Sequence, residues 1–212
     1  MQELQQLAQS KRQRKNEETR QKLMQAMASI MQKYDYNTVT IRNICSVSGV
    51  STGSFYNLFE NKEAFLRYYL TNDFTQYMEQ YYTQHPEFEE LDALEKSVDI
   101  FVCCARYNVE KGIRFISGFY VPNNHSLYTD IHEPEKEYSF TPLLTMARTY
   151  LHQAIQQGIL SDEFPVETTI NTYCYLFNGI TFNWCISQGK LDMIGQTQKV
   201  LRYYLKACQT TE

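Results

Sequence analysis

The stretch SGVSTGSFYNLFENKE, Ser48 to Glu63, gathers side chains whose chemistry is hydrogen bonding rather than bond-breaking. Read as a helix, it sets Phe55 and Phe59 four residues apart on one face, with Val50 and Leu58 beside them. Ser51, Thr52, Ser54, Tyr56 and Asn57 then fall on the other face. These are short, uncharged donors and acceptors, suited to close contact with phosphates and base edges. Gly53 leaves out a side chain where the helix backbone would have to come close to a partner.

The neighbouring residues read as the frame for that helix. Thr40 is a natural N-cap for a helix whose inward face is Ile41, Ile44 and Cys45. Gly49 supplies a turn, Ser51 caps the next helix, and Asn61 caps a long one carrying Phe65, Tyr69, Phe74, Tyr77 and Tyr81 to His85-Pro86. Two short helices joined by such a turn make a helix-turn-helix, whose second helix can lie in a DNA major groove. Helix starts at Thr40, Ser51 and Asn61 present unpaired N–H groups, Lys62 adds a full charge, and Arg42 stands close in sequence.

Helical periodicity runs through all 212 residues, and convincing strand-type alternation is absent. The reading is all-α: a three-helix helix-turn-helix DNA-binding head, with its arm, over residues 1–63, and a larger helical ligand-binding and dimerisation body over 64–212. Helix one is expected from Glu17 to Lys33, with the Gln-rich stretch before it frayed or loosely helical. The body is expected to hold helices near 91–111, 113–119, 140–157, 166–187 and 193–208, and a polar loop between Val121 and Tyr138.

Charge divides the same way. Residues 1 to 70 hold 10 Lys/Arg against 6 Asp/Glu, and the remainder holds 10 against 18, so a basic third precedes an acidic body. That is the arrangement expected if one end meets a polyanion. The cluster Lys11-Arg12-Gln13-Arg14-Lys15 reads equally as a solvated tail or as an arm adding phosphate or minor-groove contacts.

Several function classes find no support. No nucleophile has a neighbouring base, and there is neither a phosphate-binding glycine loop nor a carboxylate pair, so no enzyme and no cofactor are expected. His85, His125, His132 and His152 lack metal-ligand spacing. His125, Asp130, His132 and Glu133 share a loop that reads as solvated. The six cysteines read as reduced, small apolar residues. No run suits a membrane span or a signal peptide, and a cytoplasmic location is expected.

The run YDYNTVTIRNICSVSGVSTGSFYNLFENKEAFL, Tyr34 to Leu66, resembles the tetracycline-repressor (TetR) family of bacterial transcription regulators. The matching features are the aromatic residue after helix one, the Thr-initiated second helix with Ile44, and the Gly49-Val50-Ser51 turn. Gly53, Phe55-Tyr56, Phe59 and Lys62-Glu63 follow in order. The resemblance implies a body that binds a small molecule and dimerises through its last two long helices. It places Thr40, Thr52, Tyr56, Asn57 and Lys62 at phosphates or bases. The family often has lysine where this chain has Thr52, a departure that shifts weight to Arg42.

In the body, Tyr77, Tyr81, Phe101, Tyr107, Phe119, Tyr150 and Phe177 are the candidates for an apolar or aromatic effector site, with Arg106 or Arg114 to orient the ligand. Tyr173, Ile180 and Trp184 recur at helical spacing beside the small Gly179, and Leu201, Tyr204 and Leu205 recur near the C-terminus. Packing within one chain would explain both sets. With the resemblance, an isologous homodimer contact is expected. The expected function is a ligand-responsive repressor on a pseudo-palindromic operator. A helical protein-interaction adaptor of the same fold is the alternative, and a small-molecule-binding protein or enzyme built on the aromatic body is a third class.

Overall fold

The computed structural model describes residues 2–34, 38–120 and 141–208. Every regular element among them is a helix, and the chain divides into two compact units, Met1–Tyr69 and Leu70–Glu212. The loop of His125, Asp130, His132 and Glu133 lies outside the described residues.

The first unit is built from α1 (Gln2–Met31), α2 (Ile41–Ser48), α3 (Thr52–Tyr56) and the start of α4 (Lys62–Gln84). Leu23, Ala26, Met27 and Ile30 recur on one side of α1 and are buried, the repeat that turns a helix toward a core. Ile44 and Cys45 of α2 join them, as do Phe55, Phe65 and Leu66. Phe55, Phe59 and Phe65 close a ring triangle with centroids 5.0 to 5.6 Å apart, a spacing at which aromatic pairs add to plain burial.

Two elements differ from the sequence expectation. α1 begins at Gln2 rather than near Glu17, because its polar first half is rich in good helix formers and carries an Arg14–Glu18 pair four residues apart. α3 stops at Tyr56 rather than Phe59. The N–H groups of Leu58 and Phe59 both turn back to the Phe55 carbonyl, so Phe59 enters the core from a turn.

In the second unit, α5 (Ala93–Lys111) is the central helix and is apolar on nearly every side, with Val98, Ile100, Phe101, Val102, Cys103, Cys104 and Tyr107 all buried. α7 (Thr141–Gln156) and α9 (Met193–Cys208) pack on it, and α8 (Val166–Ile186) packs on both α7 and α9. A short 3-10 helix, Pro86–Glu90, follows α4, and α6 (Ile113–Ser117) follows α5. Asp92 accepts the Glu95 N–H to start α5, and Gly112, at φ +85, ends it. All six cysteines are free thiols, and burial pushes Cys103 up to about 12 and Cys174 to about 11, which keeps both neutral.

Candidate functional site

α3 has one side for the protein and one for something else. Phe55 is wholly buried, whereas Tyr56, its neighbour, is 57% exposed and meets the Phe55 ring edge-on at 5.7 Å. Ser51, Thr52, Gly53 and Asn57 are exposed around Tyr56, and Ser54 is half-buried. Ser51 is the N-cap: its Oγ accepts the Ser54 N–H at 3.1 Å and lies 2.9 Å from the Ser54 hydroxyl. These bonds hold the first turn of a helix too short to persist alone.

Gly53 is not required by the chain itself. A Cβ built there would meet only Ser51 Oγ, at 3.9 Å. Gly49 differs: it sits at φ +68, the left-handed conformation that ends α2 and sets the turn between the two helices.

α2 starts with reciprocal bonds. Thr40 Oγ1 accepts the Asn43 N–H at 3.1 Å, and Asn43 Oδ1 accepts the Thr40 N–H at 3.1 Å. Thr40 and Arg42 are exposed, as the sequence reading expects. Val47, 56% exposed, is a further open residue of α2 that sequence reasoning missed. It lies three residues after the buried Ile44 yet points away from the core.

Lys62 is only partly available to a partner. Its Nζ donates to the Val39 carbonyl at 3.0 Å, and burial lowers its pKa. The lysine thereby ties the start of α4 to the segment before α2. Asn61 Oδ1 accepts the Ala64 N–H at 2.7 Å and caps the same helix end.

Residues 23–69, which carry this whole arrangement, match the family model described as bacterial regulatory proteins, tetR family. The match spans 47 of the 212 residues and marks this segment as similar to the DNA-binding end of that family. Solved structures share the fold over nearly the full chain. Thermus thermophilus FadR, a TetR-family transcriptional repressor solved with lauroyl-CoA, is 20% identical at a TM-score of 0.68, covering 91% of this chain and 96% of its own. A TetR transcription regulator from Haloarcula marismortui is 13% identical at 0.65, covering 92% and 100%. RolR, solved with resorcinol, is 18% identical at 0.62, covering 92% and 89%. No curated protein matches the chain significantly.

In the second unit, a cleft of about 460 Å³ is lined by Tyr77, Gln80, Tyr81 and Gln84 of α4, His85, Arg106 and Glu110 of α5, and Ile194 of α9. The Tyr77 and Tyr81 rings stack at 6.3 Å and 15°, and the Arg106 guanidinium lies 6.0 Å from the Tyr81 ring centre. Burial, followed by the Glu110 carboxylate, pushes the Tyr77 hydroxyl up to about 12, so it remains a neutral donor.

The other aromatic candidates sit elsewhere. Phe101 and Phe177 pack on each other at 5.7 Å within the core, and Phe119 packs on Phe115 at 5.0 Å. Tyr107 is buried behind Tyr77, and its hydroxyl donates to Asp73 Oδ2 at 2.6 Å. Tyr150, half-buried, faces Phe88 at 5.8 Å with the Lys96 ammonium 5.6 Å from its ring. Helical periodicity selected these residues, and periodicity marks core before it marks cavity.

A similar correction applies to α8 and α9. Tyr173 and Leu201 are 0% exposed, and Trp184 and Leu205 are also buried, so their own chain covers the residues expected at a dimer contact. Tyr173 is held by the buried Ser97 hydroxyl at 3.1 Å. Ile180 and Tyr204 are half-buried. The opposite face of α8 carries Tyr175, at 67% exposure, with Gly179, Phe182 and Ile186 exposed along the same side and Tyr203 exposed on α9. An added Cβ at Gly179 would meet nothing within 4 Å.

Among the described residues, no three His, Cys, Asp or Glu side chains are grouped so as to hold a metal ion, and no helix is long and apolar enough to cross a membrane.

Proposed function

We propose that the chain is a homodimeric, ligand-responsive transcriptional regulator, a repressor that releases a pseudo-palindromic operator when its body binds a small aromatic or apolar molecule. The observation that carries the reading is the division of α3. Phe55 is sunk in the head core while Thr52, Tyr56 and Asn57 stand in solvent beside a glycine that the fold does not need.

On this reading, residues 1–63 act as the head. Thr40, Arg42, Thr52 and Lys62 serve phosphates, and Ser51, Ser54, Tyr56 and Asn57 serve phosphates and base edges. The exposed Val47 offers an apolar contact of the kind that suits a thymine methyl. Residues 64–212 form the effector and dimer body. The effector occupies the α4–α5 cleft, stacking on Tyr77 and Tyr81 and orienting polar substituents on Arg106 and Glu110. The lauroyl-CoA bound by FadR and the resorcinol bound by RolR bracket the range of chemistry to screen. The two chains meet through Tyr175, Gly179, Phe182, Ile186 and Tyr203, the apolar surface that each leaves uncovered. Two heads then enter successive major grooves about 34–36 Å apart. Effector and operator oppose each other through one coupling free energy.

Selection of bound duplexes from random DNA tests the reading, repeated with resorcinol-type phenols and with acyl-CoA. The expected result is enrichment of an inverted repeat that wild type binds, that Tyr56→Phe binds more weakly, and that one compound class releases. Failure to enrich any sequence, with the dimer intact by native mass spectrometry, refutes the regulator reading and leaves the adaptor.

A further inference from the structure

Between Ser10 and Lys22, α1 is a helix with nothing buried. Ser10 through Lys15 are all exposed, and the first buried residue after them is Leu23. A helix that is polar all round is stable only with a partner or many side-chain pairs, and a polar segment of this length is marginal alone. Its ion pairs are long, the exposed Arg14 to Glu18 at 3.6 Å and the half-buried Arg20 to Glu17 at 3.6 Å. Such pairs add little.

The charges on this helix are ordered. At 3.6 residues per turn, Lys11, Lys15 and Lys22 fall within an arc of about 40°, roughly a quarter-turn from the core-facing stripe of Leu23, Ala26 and Ile30. All three are exposed. Glu18 lies about 20° outside that arc, beside Lys11, with its carboxylate 3.6 Å from Arg14. The acidic body offers no general reason for a lysine rail at this end of the chain.

We infer that the Lys11–Lys15–Lys22 stripe of α1 is a second DNA contact, a helical rail on the phosphates flanking each half-site. The inference rests on the DNA-binding reading of the head and extends its footprint. Lys11 precedes Leu23 by twelve residues, about 18 Å of helix at 1.5 Å per residue. Laid along a duplex, that distance covers about five base pairs at 3.4 Å each. The occupant is double-stranded DNA rather than an acidic protein, because a straight row of single charges matches a regular row of phosphates and is continuous in sequence with the head that carries α3. Each lysine that neutralises a phosphate releases about 0.9 counterion. Three lysines in each of two heads therefore supply about 5 units of the salt slope.

The test compares wild type with Lys11→Gln/Lys15→Gln/Lys22→Gln on the selected inverted repeat, with flanks of two or eight base pairs. Glutamine is also a good helix former and the three sites are exposed, so circular dichroism and Tm should match wild type. Lys190→Gln/Lys206→Gln is the charge control at exposed body sites. The expected result is a salt slope shallower by about 5 in the triple variant only, together with loss of the wild-type preference for long flanks. A slope and flank preference equal to wild type overturn the rail and leave the head reading standing. A slope reduced equally in the control overturns it as well. A wild-type chain that binds no selected duplex overturns both.

Discussion

Gly53→Ala separates what the fold needs from what a partner needs. The glycine lies in α3 with an ordinary helical backbone, and the nearest atom to an added methyl is Ser51 Oγ at 3.9 Å, an ordinary contact. In the free protein, alanine should therefore stabilise the helix by about 0.5–1 kcal/mol through lower unfolded-state entropy. For a chain of this size that raises Tm by about 1–4 °C. Against DNA the sign reverses. A methyl placed where backbone and phosphate approach forces the helix back at a cost of about 1–3 kcal/mol per head, taking overpacking as the guide. Affinity then falls about 5- to 150-fold per head. The assays are thermal unfolding without DNA and a fluorescence-anisotropy titration of the selected duplex at fixed salt. An unchanged affinity means that no surface meets α3 at Gly53, and the proposed docking fails. A lowered Tm means the chain itself requires the glycine, and the argument from its open surroundings fails. Gly49→Ala is the contrast: at φ +68 it should lose about 1–2 kcal/mol of stability.

Lys62→Ala should lower stability as well as operator affinity, by about 1–3 kcal/mol, because the Val39 carbonyl loses its ammonium donor; equal Tm for variant and wild type would make that bond irrelevant. Phe182→Asp should shift native mass from dimer to monomer, whereas Tyr173→Phe should leave the dimer intact and reduce Tm. The reverse pattern would restore the buried face of α8 as the contact. Asp99→Asn should raise Tm at neutral pH. Burial holds the Asp99 carboxyl above its usual range, so the folded state prefers the proton and stability falls as pH rises through that window. The gain should shrink below the unfolded carboxylate pKa, and a gain that is constant with pH would place its origin elsewhere.

The head was legible in the sequence because its signals are local and redundant. Thr40, Gly49 and Ser51 are caps and a turn with mechanisms of their own, and each does in the structure what its type implies. Phe55 and Phe59 do face the core, and Tyr56 does face out. What escaped was the length of things. α3 ends at Tyr56 because backbone bonds converge on the Phe55 carbonyl, a choice that no side chain announces.

The body resisted reading because periodicity identifies faces without saying which neighbour each will meet. On α8, Tyr173, Phe177, Ile180 and Trp184 form one stripe, and Tyr175, Gly179, Phe182 and Ile186 form another on the opposite side of the same helix. Both are rich in aromatic and apolar residues, so composition cannot rank them. The core took the first stripe, where the Tyr173 hydroxyl reaches the buried Ser97 and its ring meets Phe101 at 5.2 Å. That assignment is made by α5, remote in sequence. Once it is made, the second stripe has no partner within the described chain. A helix with two apolar faces in a unit with one core has a face to spare, and the spare face, rather than the more regular one, is where a second copy of the chain should bind.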